Sequence, residues 1–256
     1  MAKLANQVGR WSGMAAVALA LASGAILAGQ DAPKPGDDAT FRPTVMIHRG
    51  SNLGTGTLIA SVEGETLVLT ASHVLDEQGP VSVELFRYNL GLERERYATG
   101  FPKLVPATIA ARDPAADVAI LRVKGQLRYP YVARIDRLDA PEPGSAVTTI
   151  GFDRGERLIG FDTRVRAVER IDMNRGGGDR PFAITDDPPE FGRSGGGLFL
   201  ANGTLVGVCV GKADIRQGKK IGIFSTVGNV RALLRSREGL AAAVNRPVAP
   251  PRPTAR

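Results

Sequence analysis

The sequence holds a single cysteine, Cys209, in 256 residues. One cysteine can form no intramolecular disulfide and no thiolate-based zinc site. Histidine is nearly as scarce, with only His48 and His73, too few for a multi-histidine metal site. No metal is expected. No apolar run reaches the roughly 20 residues of a spanning helix. Charge of one sign is also missing from the body of the chain. The formal net charge is +7, but Lys3 and Arg10 lie in an N-terminal leader. Six arginines (Arg231, Arg235, Arg237, Arg246, Arg252 and Arg256) face only Glu238 from residue 231 onward. The stretch 29–230 is therefore neutral, and it has no electrostatic footprint for a nucleic-acid partner.

What is present is glycine and proline, 31 and 17 residues. That is short of the roughly 25–30% of low-complexity disorder, yet rich for a helical bundle. Many turns are implied, and an all-β protein is expected. The length suits one large domain or two small ones.

Residues 1–28 read as a signal peptide. Lys3 and Arg10 supply the positive start, and Met14–Ala28 an apolar run with small residues suited to cleavage after Ala25 or Ala28. A secreted or periplasmic bacterial protein is expected, with no stable membrane span after cleavage; the alternative is a leader left in place as an anchor. With one cysteine, such a protein must be stabilised by packing. Residues 29–40 read as a polar linker, and 237–256 as a basic, Pro-rich tail.

Between them lie short apolar runs set apart by turn residues: 44–49, 55–61, 65–71, 81–86, 117–123, 146–152, 196–200, 204–210 and 221–226. Alternating or continuous β-branched character over four to eight residues predicts strands. Only 227–236 has helical spacing, with Val227, Val230, Leu233 and Leu234 on one face.

Three residues carry potential chemistry. His73 follows an apolar strand in LTASHVL, Asp117 opens another in RDPAADVAIL, and Ser194 sits among glycines in FGRSGGGLF. Singly, each has an ordinary structural explanation. Together they form a kit. Serine is a poor nucleophile unless a histidine takes its proton, and that histidine needs a carboxylate to fix its tautomer. Glycines around the serine let backbone N–H groups converge on a developing oxyanion. Chain order then discriminates. Gly192–Gly196 fits a G-x-S-x-G elbow, but that fold needs a histidine after the serine, and none follows Ser194. The order Asp, His, Ser fails too, since Asp31, Asp37 and Asp38 alone precede His73 and all lie in the linker. The order His73, Asp117, Ser194 remains.

On these residues the chain resembles the bacterial trypsin-like serine endopeptidases of the chymotrypsin fold, nearest to the HtrA type. Gly54–Leu75 resembles the strand, turn, strand and TAAH segment. DPAADVAIL resembles the acid-bearing pattern, with Asp117 rather than Asp113 as the acid. Residues 185–199 resemble the TDA…GNSGG segment, Leu205–Gly211 the strand that pairs with substrate, and Gly222–Leu234 the pocket wall and terminal helix. The resemblance covers roughly 45–236.

It implies two six-stranded antiparallel barrels, about 41–134 and 135–227, with a C-terminal helix and a cleft between the barrels. It implies Ser194 as nucleophile, His73 as base, Asp117 as orienting acid, and the N–H groups of Gly192 and Ser194 as the oxyanion hole. Val210 and Gly211 would pair with substrate backbone. The specificity pocket would have Pro188 at its base and Gly222 and Lys212 near its walls. A hydrophobic or small side chain is expected there, with an acidic one as the weaker option through Lys212. Protein or peptide substrates are implied, and no cofactor.

There are departures. Only about twenty residues follow the terminal helix, so no PDZ module is expected. Val74 stands where animal digestive relatives have a disulfide cysteine. Arg193 stands where those relatives carry an acid that pairs with a freshly made N-terminus. That cation is expected to face solvent or to pair with Asp186, Asp187 or Glu190. The alternative function is a catalytically inactive binding or scaffold domain, for which Arg193 and the Pro188–Phe191 loop speak. The sequence leaves the natural substrate and the oligomeric state open.

Overall fold

The computed structural model describes residues 37–62, 64–91, 103–123, 128–173, 178–215 and 218–244. The leader, most of the linker and residues 245–256 of the tail lie outside them. Six strands form a closed barrel: β1 (Thr44–Arg49), β2 (Asn52–Val62), β3 (Glu65–Thr70), β4 (Val81–Leu85), β5 (Lys103–Asp113) and β6 (Val118–Val123), in the order β1-β2-β3-β6-β5-β4. A four-residue helix, α1 (Arg87–Leu90), follows β4.

The second half contains β7 (Arg134–Ile135), β8 (Ala146–Asp153), β9 (Arg157–Ile171), β10 (Arg180–Thr185), β11 (Gly197–Leu200), β12 (Thr204–Asp214) and β13 (Lys220–Thr226). Pairing of β11 with β12 closes six of them into a ring, and the two-residue β7 adds in parallel to β12. The expected pair of six-stranded barrels is what forms.

The burial pattern explains the two kinds of apolar run. In β4, Val81, Val83 and Leu85 point inward while Ser82 and Glu84 are half-exposed, the alternation of a strand with one wet face. In β3 and β6 the runs are continuous because both faces are covered. Val68, Ala119 and Leu121 fill the first barrel, whereas Leu67, Leu69, Val118 and Ile120 face the second barrel and the terminal helices. That shared core makes the two barrels one body. Truncating Leu69 or Ile120 to alanine would cost about 2–5 kcal/mol.

The predicted helix is α2 (Val227–Arg235), and the four residues that define its apolar face are all buried. The segment after it departs from the expected tail. Leu240–Val244 forms a second short helix, α3, whose Leu240 and Ala243 join the shared core. The run LAAAV was masked by its charged and proline-rich neighbours. Three long elements, β5, β9 and β10, were also absent from the sequence reading. Pro106 interrupts the pattern of β5, and β9 exposes Arg164, Arg166, Glu169 and Arg170, so it carries little apolar signal.

Candidate active site

β3 ends at Thr70, and the chain turns through a short 3-10 segment, His73–Leu75. Val74 and Leu75 are buried in the first barrel and fix the turn. Behind it, Arg112 donates from Nε to Ser72 Oγ at 2.6 Å and from Nη2 to the Ser72 carbonyl at 2.9 Å. His73 itself is 28% exposed.

Asp117 precedes β6 with a left-handed φ of 53°. A non-glycine residue there costs of order 1–3 kcal/mol and persists only where its surroundings over-determine it. Here they do. Asp117 is fully buried, its Oδ1 accepts the His73 backbone N–H at 2.9 Å, and its Oδ2 lies 2.7 Å from His73 Nδ1. An ionised carboxylate only accepts, so it selects the Nδ1–H tautomer and leaves Nε2 as an acceptor. Asp113, the other acid of the same segment, instead caps a turn by accepting the N–H groups of Ala115 and Ala116.

Ser194 lies on a turn pressed against the strands that lead to His73. Its carbonyl accepts the Thr55 N–H at 2.8 Å. The next residue, Gly195, has φ +87°, and a Cβ there would stand 2.1 Å from the Thr55 carbonyl and 2.3 Å from Thr70 Oγ1. Only glycine lets the Ser194 turn come this close.

Two peptide planes around Ser194 are fixed by their carbonyls. Phe191 O accepts the Arg154 N–H at 2.6 Å, and Arg193 O accepts the Gly196 N–H at 2.8 Å. In a trans peptide the N–H points opposite to its C=O, so the Gly192 and Ser194 N–H groups face away from those bonds. Among the described residues neither donates to any protein group. Two free donors flanking a serine suit a developing oxyanion. The Ser194 hydroxyl makes no hydrogen bond to His73, a looseness common in unliganded sites.

The residues read as substrate-binding group near this turn. Pairing of β12 with β13 shifts between Cys209 and Gly211, which places Val210 in a bulge. Gly211 has open space where a Cβ would point, and among the described strands β12 has only β13 as partner past residue 208. That edge could take an extended peptide. Pro188 is half-buried, and Gly222 is closed off: a Cβ there would lie 2.3 Å from Thr185 Oγ1 and 2.9 Å from the Asp187 carbonyl. Lys212 is committed at the rim. Its ammonium is 3.8 Å from Glu190 and lies over the Phe191 ring, 5.0 Å from the centroid. Phe191 is 60% exposed.

Arg193 corrects the sequence reading. It is neither solvated nor paired with Asp186, Asp187 or Glu190. Its side chain is 1% exposed, and its Nε pairs with Asp153 at the end of β8. Thr55, Arg112 and Asp153 were all missed, because each acts through a neighbour distant in sequence.

The comparisons agree with this fold. The family profile described as Trypsin-like peptidase domain matches residues 54–208. A curated protein of Arabidopsis thaliana, "Putative protease Do-like 14", is 26% identical over 175 residues; the match covers 67% of this chain and 38% of that protein's length. Among solved structures, the active form of the Rv3671c protease from M. tuberculosis aligns with a TM-score of 0.62 at 24% identity, covering 84% of this chain and 86% of that one. The protease domain of MamO from Magnetospirillum magneticum gives 0.58 at 19% identity, over 76% and 96% of the two chains. A serine endoprotease from Yersinia pestis gives 0.59 at 20% identity, over 80% and 67%.

Proposed function

Since the chain belongs to the trypsin-like peptidase family, we propose that it is a serine endopeptidase that cleaves protein or peptide substrates through an acyl-enzyme. The observation that carries the reading is the buried Asp117 carboxylate holding both the backbone and the ring of His73, beside the Ser194 turn. Ser194 Oγ attacks the scissile carbonyl as His73 Nε2 takes its proton. The carbonyl oxygen becomes an oxyanion, which the Gly192 and Ser194 N–H groups receive. His73 then gives the proton to the leaving amine, and an ester to Ser194 remains. Water, deprotonated by His73, attacks that ester and regenerates the serine.

Substrate backbone adds to the free edge at Val210 and Gly211. The crowding at Gly222 and the engagement of Lys212 by Glu190 favour a small or hydrophobic side chain before the scissile bond over a basic or acidic one. The leader at 1–28 supports export to the periplasm or beyond.

Titration with a serine-directed fluorophosphonate tests the reading. Stoichiometric labelling that Ser194→Ala abolishes is expected. Absence of labelling in the unaltered protein would favour the scaffold reading, in which the fold serves only for binding.

A further inference from the structure

We infer that the ion pair of the buried Arg193 with the half-buried Asp153 is an internal latch that sets the two oxyanion-facing N–H groups, which makes Arg193 a positioning residue for catalysis. The inference rests on the hydrolase reading above.

A guanidinium taken out of water is costly unless it is paired and hydrogen-bonded. Arg193 is one of the largest fully buried side chains, and all its partners come from one hairpin. Asp153 at the end of β8 pairs with its Nε. The Thr149 carbonyl, also on β8, accepts from Nη1 at 3.2 Å. The ring of Phe161 on β9 lies under the guanidinium, 4.6 Å from centroid to Cζ. A Cβ at Gly151 would sit 3.2 Å from both Cα and Cγ of Arg193, so the stem lies against that glycine. An arginine has the planar fork and the aromatic-stacking face to use such a set of partners at once.

The same hairpin, together with Thr55 of β2, grips the residues on either side of the first oxyanion peptide. The Arg154 N–H holds Phe191 O at 2.6 Å. Thr55 Oγ1 donates to Gly192 O at 2.8 Å and accepts the Phe152 N–H at 3.0 Å. Gly192 has no room to move inward, because a Cβ there would meet the Phe152 carbonyl at 2.4 Å. Arg193 is the residue between the two peptides whose N–H groups face the cleft. Its side chain is the only one of the Gly192–Gly196 turn that reaches into the hairpin with a charge. Without it, the Gly192 peptide stays tied to the hairpin through Phe191 O, but the peptide that carries the Ser194 N–H loses the side-chain anchor that Arg193 gives it there.

The test compares the unaltered protein with Arg193→Ala, Arg193→Lys, Asp153→Asn, the single changes Arg193→Asp and Asp153→Arg, and the charge-exchanged pair that combines those two. Each is read by fluorophosphonate labelling rate and by kcat and KM on one peptide substrate. Arg193→Ala and Asp153→Asn should each lower kcat by about 10²-fold, the scale of losing one oxyanion donor. KM should move by less than about threefold, since ground-state binding is not the target. Arg193→Lys should recover part of the loss, and the exchanged pair should exceed both of its single changes. Asp153→Asn keeps the shape and one acceptor oxygen but removes the charge, so it decides the matter even if Arg193→Ala fails to fold. Unchanged kcat in Asp153→Asn, or a loss carried entirely by KM, overturns the inference while the hydrolase reading stands. An unaltered protein that is not labelled at all overturns both.

Discussion

Asp117 holds His73 at two points, its Oδ1 accepting the backbone N–H at 2.9 Å and its Oδ2 facing Nδ1 at 2.7 Å. The two contacts divide the work. The backbone bond sets where the histidine turn sits, and the ring contact sets its tautomer. Asp117→Asn would keep a side chain of the same shape, but its amide could donate to Nδ1 and so present Nε2 as N–H, unable to accept the serine proton. We expect kcat to fall on the order of 10³–10⁴-fold with the fold intact. Steady-state kinetics beside circular dichroism checks this; a loss of under about tenfold would mean that another group orients His73.

Proton acceptance by His73 also sets a pH direction. The protonated imidazole has no lone pair for the serine proton. Activity should therefore be lost as pH falls and regained as it rises. A kcat/KM profile flat across the acid range would point to a base other than histidine.

Much of this site was legible in the chain because its chemistry is local. His73, Asp117 and Ser194 each sit in a short stretch with its own signal, and their order alone separated three serine-hydrolase arrangements. The strands that hold them were legible for the same reason: β3 and β6 are buried on both faces and read as unbroken apolar runs. β9 was not, because a strand with a wet face of arginines and glutamate looks like a loop. Arg193 failed differently. Nothing local marks a buried arginine, and its partner Asp153 lies forty positions away on a hairpin whose second strand was itself missed. The α3 helix failed because Leu240–Val244 is only five residues long.

Gly195 offers a steric test of how the nucleophile turn is seated. Its φ of +87° is strained for any L side chain, and a Cβ would stand 2.1 Å from the Thr55 carbonyl. Neither the backbone oxygen nor Thr70 Oγ1 is the far end of a flexible chain. Gly195→Ala should cost roughly 2–6 kcal/mol from strain and overpacking together, and should remove activity by moving Ser194. Urea unfolding would show the shift in midpoint. A variant as stable and as active as the unaltered protein would mean that the turn sits elsewhere.

Cys209 should be chemically silent in the folded protein. It is fully buried, and burial pushes its thiol up from 9.0 to about 12, the nearby Arg193 charge offsetting this only in part. The thiolate is the reactive species. Alkylation at pH 8 should therefore proceed only as fast as the protein opens, and reach one equivalent once it is denatured. The raised value also fixes a sign. Between about pH 9 and 12 the unfolded thiol loses its proton while the folded one keeps it, so this group's contribution to stability is full below that window and is lost as pH rises. Rapid native-state alkylation would contradict the packing of β12 against the Gly195–Gly196 turn.

The final prediction concerns how the site becomes active. Arg42 is 4% exposed, lies between the rings of Tyr88 and Tyr131 at 4.5 and 4.8 Å, and donates to the Tyr88 carbonyl at 2.8 Å. Asn89 Nδ2 donates to the carbonyls of both Arg42 and Thr44 at 2.7 Å. Phe41 meanwhile packs with the core shared by the two barrels. The segment entering β1 is thus bound into the structure as a continuous chain. A cut there would free an α-ammonium, yet the position before Ser194 is already filled by a cation with its own carboxylate, and a second positive charge brought beside it would be repelled. We therefore expect a chain beginning near Gln30 to be active as made, and a cut anywhere between residues 38 and 46 to lower activity and stability together. Activity assays paired with N-terminal sequencing after the assay decide it. Activity that arises only once such a cut has been made would refute the prediction.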